Sequence, residues 1–188
     1  MFRSLFLILP LLWFLTSCGV MNNPEQGSSP KGDAETTNEA LPVFKDFIPT
    51  LILTPQNNII AQNFAQYHIF TRETETQNFL HELNTTTQTL PETDRNIVDT
   101  WISYANSLNT NYDTQNLLFY PLILSQNCPL HKTVTTAQNN FVLTLTTETD
   151  KCTQEQIYHP LIYNIDKQYD TIIISPDGKD IILDNQNY

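Results

Sequence analysis

The apolar run at residues 5–15, followed at once by small residues, constrains this chain more than any other feature in it. It follows Met1-Phe2-Arg3, a short stretch with one positive charge, and is interrupted only by Pro10. At about 1.5 Å per residue a helix of this length reaches roughly half of a hydrocarbon core about 30 Å thick. A positive start, a short apolar centre and a small-residue end are the order of an export signal. The folded part is therefore expected outside the cytoplasm, where paired thiols oxidise.

The signal does not end in an Ala-x-Ala-like site. It ends Leu15-Thr16-Ser17-Cys18-Gly19, which resembles the lipobox of bacterial lipoproteins. That resemblance covers residues 1–19. It implies cleavage before Cys18, lipidation of the Cys18 thiol and acylation of the new amino group. The acyl chains on Cys18 would hold the chain to a lipid bilayer, each buried CH₂ contributing about 0.8 kcal/mol. Gly19 stands where an Asp would favour retention in the inner membrane, so an outer-membrane location is implied, with the domain facing the periplasm or the surface. Residues 1–17 are then the signal peptide. Residues 18–42 read as the lipidated cysteine and a flexible linker, with Gly19, Gly27, Gly32, Pro24 and Pro30 and no apolar periodicity. Such a composition buries too little surface to offset its ordering entropy.

Residues 43–188 are expected to form one globular α+β domain. The reading is a mainly antiparallel sheet with two helices packed on it. Residues 43–53 are apolar and β-rich, with Pro49 confining any strand there to an edge. A turn at Pro55-Gln56-Asn57-Asn58 leads to a strand at 65–71. Thr74 and Gln77 have capping-box spacing, and Phe79, Leu80 and Leu83 make a short helical stripe ending at Asn84. After Pro91, the residues Ile97, Val98, Trp101, Ile102, Ala105 and Leu108 recur at helical spacing, the clearest amphipathic pattern in the chain. Strands follow at 117–125, 141–146, 157–165 and 171–175. Pro121 within the first of them predicts a bulge or an edge. Pro176-Asp177-Gly178 between two Ile-rich runs predicts a hairpin, with Gly178 supplying the left-handed residue. The polar tail from Asp184 is expected to fray.

Three cysteines in an exported chain leave one thiol over. Lipidation of Cys18 removes it from the count and leaves Cys128 and Cys152. A turn at Gln138-Asn139-Asn140 would pair 131–136 with 141–147. Extending that register backward brings Cys128 near Cys152, so a disulfide is predicted at the open end of this hairpin.

Chemistry-bearing motifs are sparse. Cys128, His131, Cys152 and His159 could be drawn as a metal site, but the compartment favours a disulfide and no second closely spaced ligand pair is present. A Cys128–His131 nucleophile pair fails for the same reason. His81 beside Glu82 reads as a solvated helix surface, and His68 as a strand residue facing solvent. Asn84-Thr85-Thr86 matches a glycosylation acceptor by chance. No nucleophile elbow, zinc-protease motif, phosphate-binding glycine loop or EF-hand series occurs, so no catalytic, cofactor-binding or metal residue is assigned. Tyr104, Tyr112, Tyr120, Tyr158, Tyr163 and Tyr169 could form an aromatic binding face, although sheet packing alone explains such a number. With 20 Asp and Glu against 9 Lys and Arg, the chain lacks the basic surface that nucleic acid requires.

From Ile69 onward the order is strand, Thr-rich cap, helix ending Phe79-Leu80, a second helical stretch, then strands. Leu117-Leu118-Phe119-Tyr120 follows Tyr112-Asp113, and His159-Pro160-Leu161-Ile162-Tyr163 precedes the last strands. Over residues 66–175 this resembles the small PrcB-like envelope domains, accessories of a spirochaete surface protease complex. The glycines and charges typical of that family are mostly absent, and no functional residue is carried over. The resemblance implies a non-catalytic partner protein. The expectation is a lipid-anchored envelope protein that binds or assists another envelope protein. A protease inhibitor presenting a disulfide-braced loop and an uncharacterised enzyme are the alternatives.

Overall fold

The computed structural model describes residues 48–176 and 178–186. The chain divides into units 1–39 and 40–188, and all described residues belong to the second. The signal peptide, Cys18, the whole linker, residues 43–47, Asp177 and residues 187–188 lie outside the described residues.

The fold is α+β, as expected, and is built in three layers. Strands β1 (Leu51–Ile52), β2 (His68–Phe70), β3 (Gln115–Leu124) and β6 (Ile157–Asp166) form one antiparallel sheet in the order β1-β6-β3-β2. Strands β4 (Leu130–Ala137), β5 (Asn140–Thr147), β7 (Thr171–Pro176) and β8 (Ile181–Asp184) form a second, in the order β4-β5-β7-β8. Among the described residues three α-helices, α1 (Ile59–Asn63), α2 (Glu73–Thr87) and α3 (Glu92–Ser107), make the remaining layer. The expectation of a single sheet with two helices is thus refined to two sheets and three helices. In the second sheet β5 and β7 are parallel, because β6 crosses to the first sheet between them.

The alternation of β3 and β6 explains the layering. Leu117, Phe119, Tyr158 and Ile162 point to the helices and join Phe79, Leu83, Val98 and Trp101 in one core. Leu118, Leu122, Leu161, Tyr163 and Ile165 point the other way and meet Val134, Phe141, Leu143 and Ile174 of the second sheet. Both faces of the first sheet are covered, so its strands read as near-continuous apolar runs. Pro121 pairs with Pro160 in the middle of β3 and β6. Neither proline has an N–H, and the neighbouring strands β2 and β1 end short of them, so the missing donors fall on open edges.

Several local expectations are corrected. Thr74 and Gln77 do not cap α2. Arg72 occupies the N-cap without a side-chain bond, and Glu75 Oε2 instead accepts the Thr71 N–H at 3.2 Å. Asn84 does not end that helix, which continues to Thr87. The hydroxyls of Thr85 and Thr87 donate back to the carbonyls of His81 and Asn84 and keep the last turn closed. His68 is half-buried, its ring stacked 5.5 Å from Phe70 and tilted against Phe79 at 4.8 Å. The tail does not fray at Asn185, which is buried and donates its amide hydrogens to the carbonyls of Asp166 and Tyr169.

The two hairpins follow the expected plan. Thr136 pairs with Phe141 and His131 with Thr146 around a turn in which Gln138 has φ 55°. Ile174 pairs with Ile181 beyond the turn holding Gly178, at φ 80°. Cys128 and Cys152 are bonded at the open end of the first hairpin, their Cα atoms 4.2 Å apart. A backbone bridge between Asn127 and Thr153 runs beside them.

Candidate functional site

A cleft of about 870 Å³ opens where the two sheets part, next to the disulfide. Along β6 the residues facing the second sheet are Ile157, His159, Leu161, Tyr163 and Ile165, and only His159 is not apolar or aromatic. Along β4 the positions on the inward face are Leu130, Lys132, Val134 and Thr136, and Lys132 is the charged exception. The two exceptions meet: Lys132 Nζ lies 2.8 Å from His159 Nε2. On the other side of the ring, Nδ1 lies 3.0 Å from Thr50 Oγ1.

Three elements bring these groups together. Leu51 pairs with Tyr158, which places Thr50 opposite His159 one step along the register. The indole of Trp101, fully buried on α3 and stacked 5.4 Å from Tyr158, donates to the carbonyl of Pro49 at 2.7 Å. That bond fixes the segment carrying Thr50 against β6. The Tyr158 hydroxyl donates to the carbonyl of Phe64 at 2.7 Å and ties the same strand to the helical layer. Lys132 comes from the other sheet, held in place by the β4–β5 ladder.

The electrostatics follow from burial. His159 is 6% exposed. Desolvation, reinforced by the Lys132 charge, pushes its pKa down to about 3. The imidazole is therefore neutral at ordinary pH. An ammonium has only hydrogens to offer, so Nε2 accepts from Lys132, and the remaining ring hydrogen sits on Nδ1 and goes to Thr50. Burial also lowers the Lys132 pKa. Lys132 is exposed as a whole residue, but its ammonium is folded back onto the ring. Burial raises the pKa of Tyr163 as well, with a smaller contribution from Tyr104 across the cleft.

The rim carries a second charged group. Glu148 accepts from His131 Nε2 at 2.6 Å and forms an ion pair with Lys151. Lys151 and then His131 hold its carboxyl below the usual carboxylate range. Among the described residues the cleft lining includes Lys132, Lys151, His131 and His159 and no Asp or Glu. With His159 neutral and Lys151 paired to Glu148, the Lys132 ammonium is the charge this lining leaves without an ion-pair partner among the described residues.

The residues singled out in the sequence divide. Cys128, His131 and His159 all line the cleft, but the bond to Cys152 removes the thiolates a metal would use. Among the described residues no group of three His, Cys, Asp or Glu could hold a metal ion. The six tyrosines do not form one face. Tyr158 and Tyr112 belong to the helical core, and Tyr120 and Tyr169 pack against the inter-sheet core. Tyr104 and Tyr163 alone of the six line the cleft. Sequence reasoning missed Thr50 and Lys132 and weighed His159 as a member of a metal site that it set aside. The alternation of 157–165 was the available signal, since it puts a histidine in an otherwise apolar row. Compared with known proteins, the chain matches no family model, no curated protein and no solved structure.

Proposed function

We propose that this chain is a lipid-anchored envelope lipoprotein, held to the outer membrane through Cys18, whose domain binds or assists another envelope protein without catalysing a reaction. The observation that carries the reading is the cleft between the two sheets. It combines apolar walls from Ile48, Ile157 and Tyr163 with a few convergent polar groups, the composition of a binding site. The likeness of residues 66–175 to PrcB-like domains points the same way. Among the described residues no helix is long and apolar enough to cross a membrane, and the reading assigns the anchoring to lipid on Cys18. Crosslinking in native envelopes followed by mass spectrometry tests the binding role. A specific protein partner is expected. Recovery of none, together with turnover of a substrate by the purified protein, overturns the reading.

A second reading, protease inhibition, is favoured by one feature. The Cys128–Cys152 bond and the Asn127–Thr153 bridge brace two adjacent exposed loops. It predicts inhibition of an envelope protease that is lost on reduction.

A further inference from the structure

We infer that the cleft captures the C-terminal carboxylate of an extended partner chain, which adds as an antiparallel strand to the open edge of β4 and ends between Lys132 and Thr50. The inference deepens the binding reading above and rests on it.

The first argument is the direction of the hydrogen bonds. Nε2 of His159 takes one hydrogen of the Lys132 ammonium, and Nδ1–H occupies the oxygen of Thr50. The neutral ring thus uses up acceptors at both ends. From these three side chains two ammonium hydrogens and the Thr50 hydroxyl, with one hydrogen to donate and one lone pair left, remain to face the cleft. Three donor hydrogens, two of them on a cation, favour an accepting anion, and a carboxylate accepts with charge assistance. The second argument is charge. Among the described residues Lys132 has no carboxylate within ion-pair distance, whereas Lys151 is already paired with Glu148. An incoming anion supplies the missing counter-charge in a part-buried site.

The third argument chooses the source of the carboxylate. Among the described residues β4 is the outer strand of its sheet and pairs only with β5. Its other edge presents unpaired backbone groups, which an extended chain can satisfy. A lysine on an edge strand ordinarily guards against such pairing by projecting its charge into solvent. Lys132 is turned inward onto His159 instead. β4 begins at Leu130, at the cleft. A strand laid antiparallel on it therefore runs toward Leu130 and brings its last residue to the donors. Burial of Ile48 and Ile157 nearby supplies apolar wall for the terminal side chain.

The test uses the full lipidated chain in detergent micelles, immobilised and exposed to a randomised hexapeptide pool with free C-termini, the same pool amidated, and laurate. The free-carboxylate pool should be retained about tenfold or more over the amidated pool. Lys132→Gln and Thr50→Val should each abolish that preference while melting cooperatively, and Lys179→Gln, outside the cleft lining, should keep it. Equal retention of the two pools, retention of neither, or a preference that survives in both cleft variants overturns the inference. Uptake of laurate without retention of peptide overturns it in favour of a free apolar acid. Crosslinking of Lys132→Gln in envelopes separates the two levels. A partner captured equally by variant and parent overturns the carboxylate inference and leaves the binding role standing. No partner for either, together with turnover of a substrate by the purified protein, overturns both.

Discussion

His159 is a buried base kept neutral between a hydroxyl and an ammonium. Unfolded, the same ring takes a proton near its ordinary value of 6.5; folded, it resists until about 3. Below pH 6.5 the unfolded chain therefore binds more protons than the folded one, and stability falls as pH falls. At pH 4 this amounts to about 3 kcal/mol at 1.36 kcal/mol per unit. His68, whose pKa burial lowers against Phe70 and Phe79, adds to the same trend. Chemical denaturation between pH 7 and 4 should show this decline in the parent and a shallower one in His159→Gln. Equal slopes would mean that the ring is solvated. Trp101 matters at the same scale for a different reason: its N–H holds Pro49, and through it Thr50, in the place the site needs.

At the scale of elements, the β4–β5 hairpin carries the site and is closed by a covalent bond. Leu130 to Ala137 is mostly exposed except for Val134, so this strand has little apolar burial of its own. The Cys128–Cys152 bond, spanning a sequence separation of 24, offsets that deficit by restricting the unfolded chain. Replacing both cysteines with serine should cost about 3 kcal/mol in urea unfolding. It should also weaken capture of the partner, because Cys128 and Lys132 belong to the same cleft. A variant as stable as the parent would mean that the strand is held by the ladder alone. The β7–β8 hairpin needs no such bond. Its turn has Gly178 at φ 80°, and Ile174 and Leu183 are buried in the inter-sheet core.

For the whole molecule, the first sheet is the element both cores share. Val98 lies in the helical core and Leu143 in the inter-sheet core, and each is fully buried. β3 and β6 contribute side chains to both. Loss of either core exposes one face of that sheet, so the two cannot melt independently. Val98→Ala and Leu143→Ala should each lower a single unfolding transition, the leucine by about 2–5 kcal/mol. Two separated transitions in either variant would refute the coupling. The proposed anchor is tested at this scale too. The N-terminal peptide should begin at an acylated Cys18, and Cys18→Ala should release the protein from membranes; an unmodified Cys18 thiol would sink the anchor.

Periodicity and turn chemistry made much of this fold legible before any contact was known. Pro91 and the 3–4 spacing of Val98, Trp101 and Ala105 marked α3, because one helix face must be apolar when it packs. Gly178 marked one hairpin, because few residues accept φ above zero, and the polar Gln138-Asn139 pair between strand patterns marked the other, although its positive φ falls on Gln138. The cysteine pair was legible through the hairpin register. The division into two sheets was not. Apolar runs such as 117–124 state that a strand is buried on both faces, and they do not say what covers each face. The cleft was illegible for the same reason. Thr50, Lys132 and His159 lie on β1's approach, β4 and β6, in two different sheets, and each alone reads as an ordinary polar residue. Only the stacking of the sheets puts a lysine and a histidine at the one level where the apolar filling stops. Local sequence determined the elements and the covalent tie; long-range packing decided which polar side chains share a cleft.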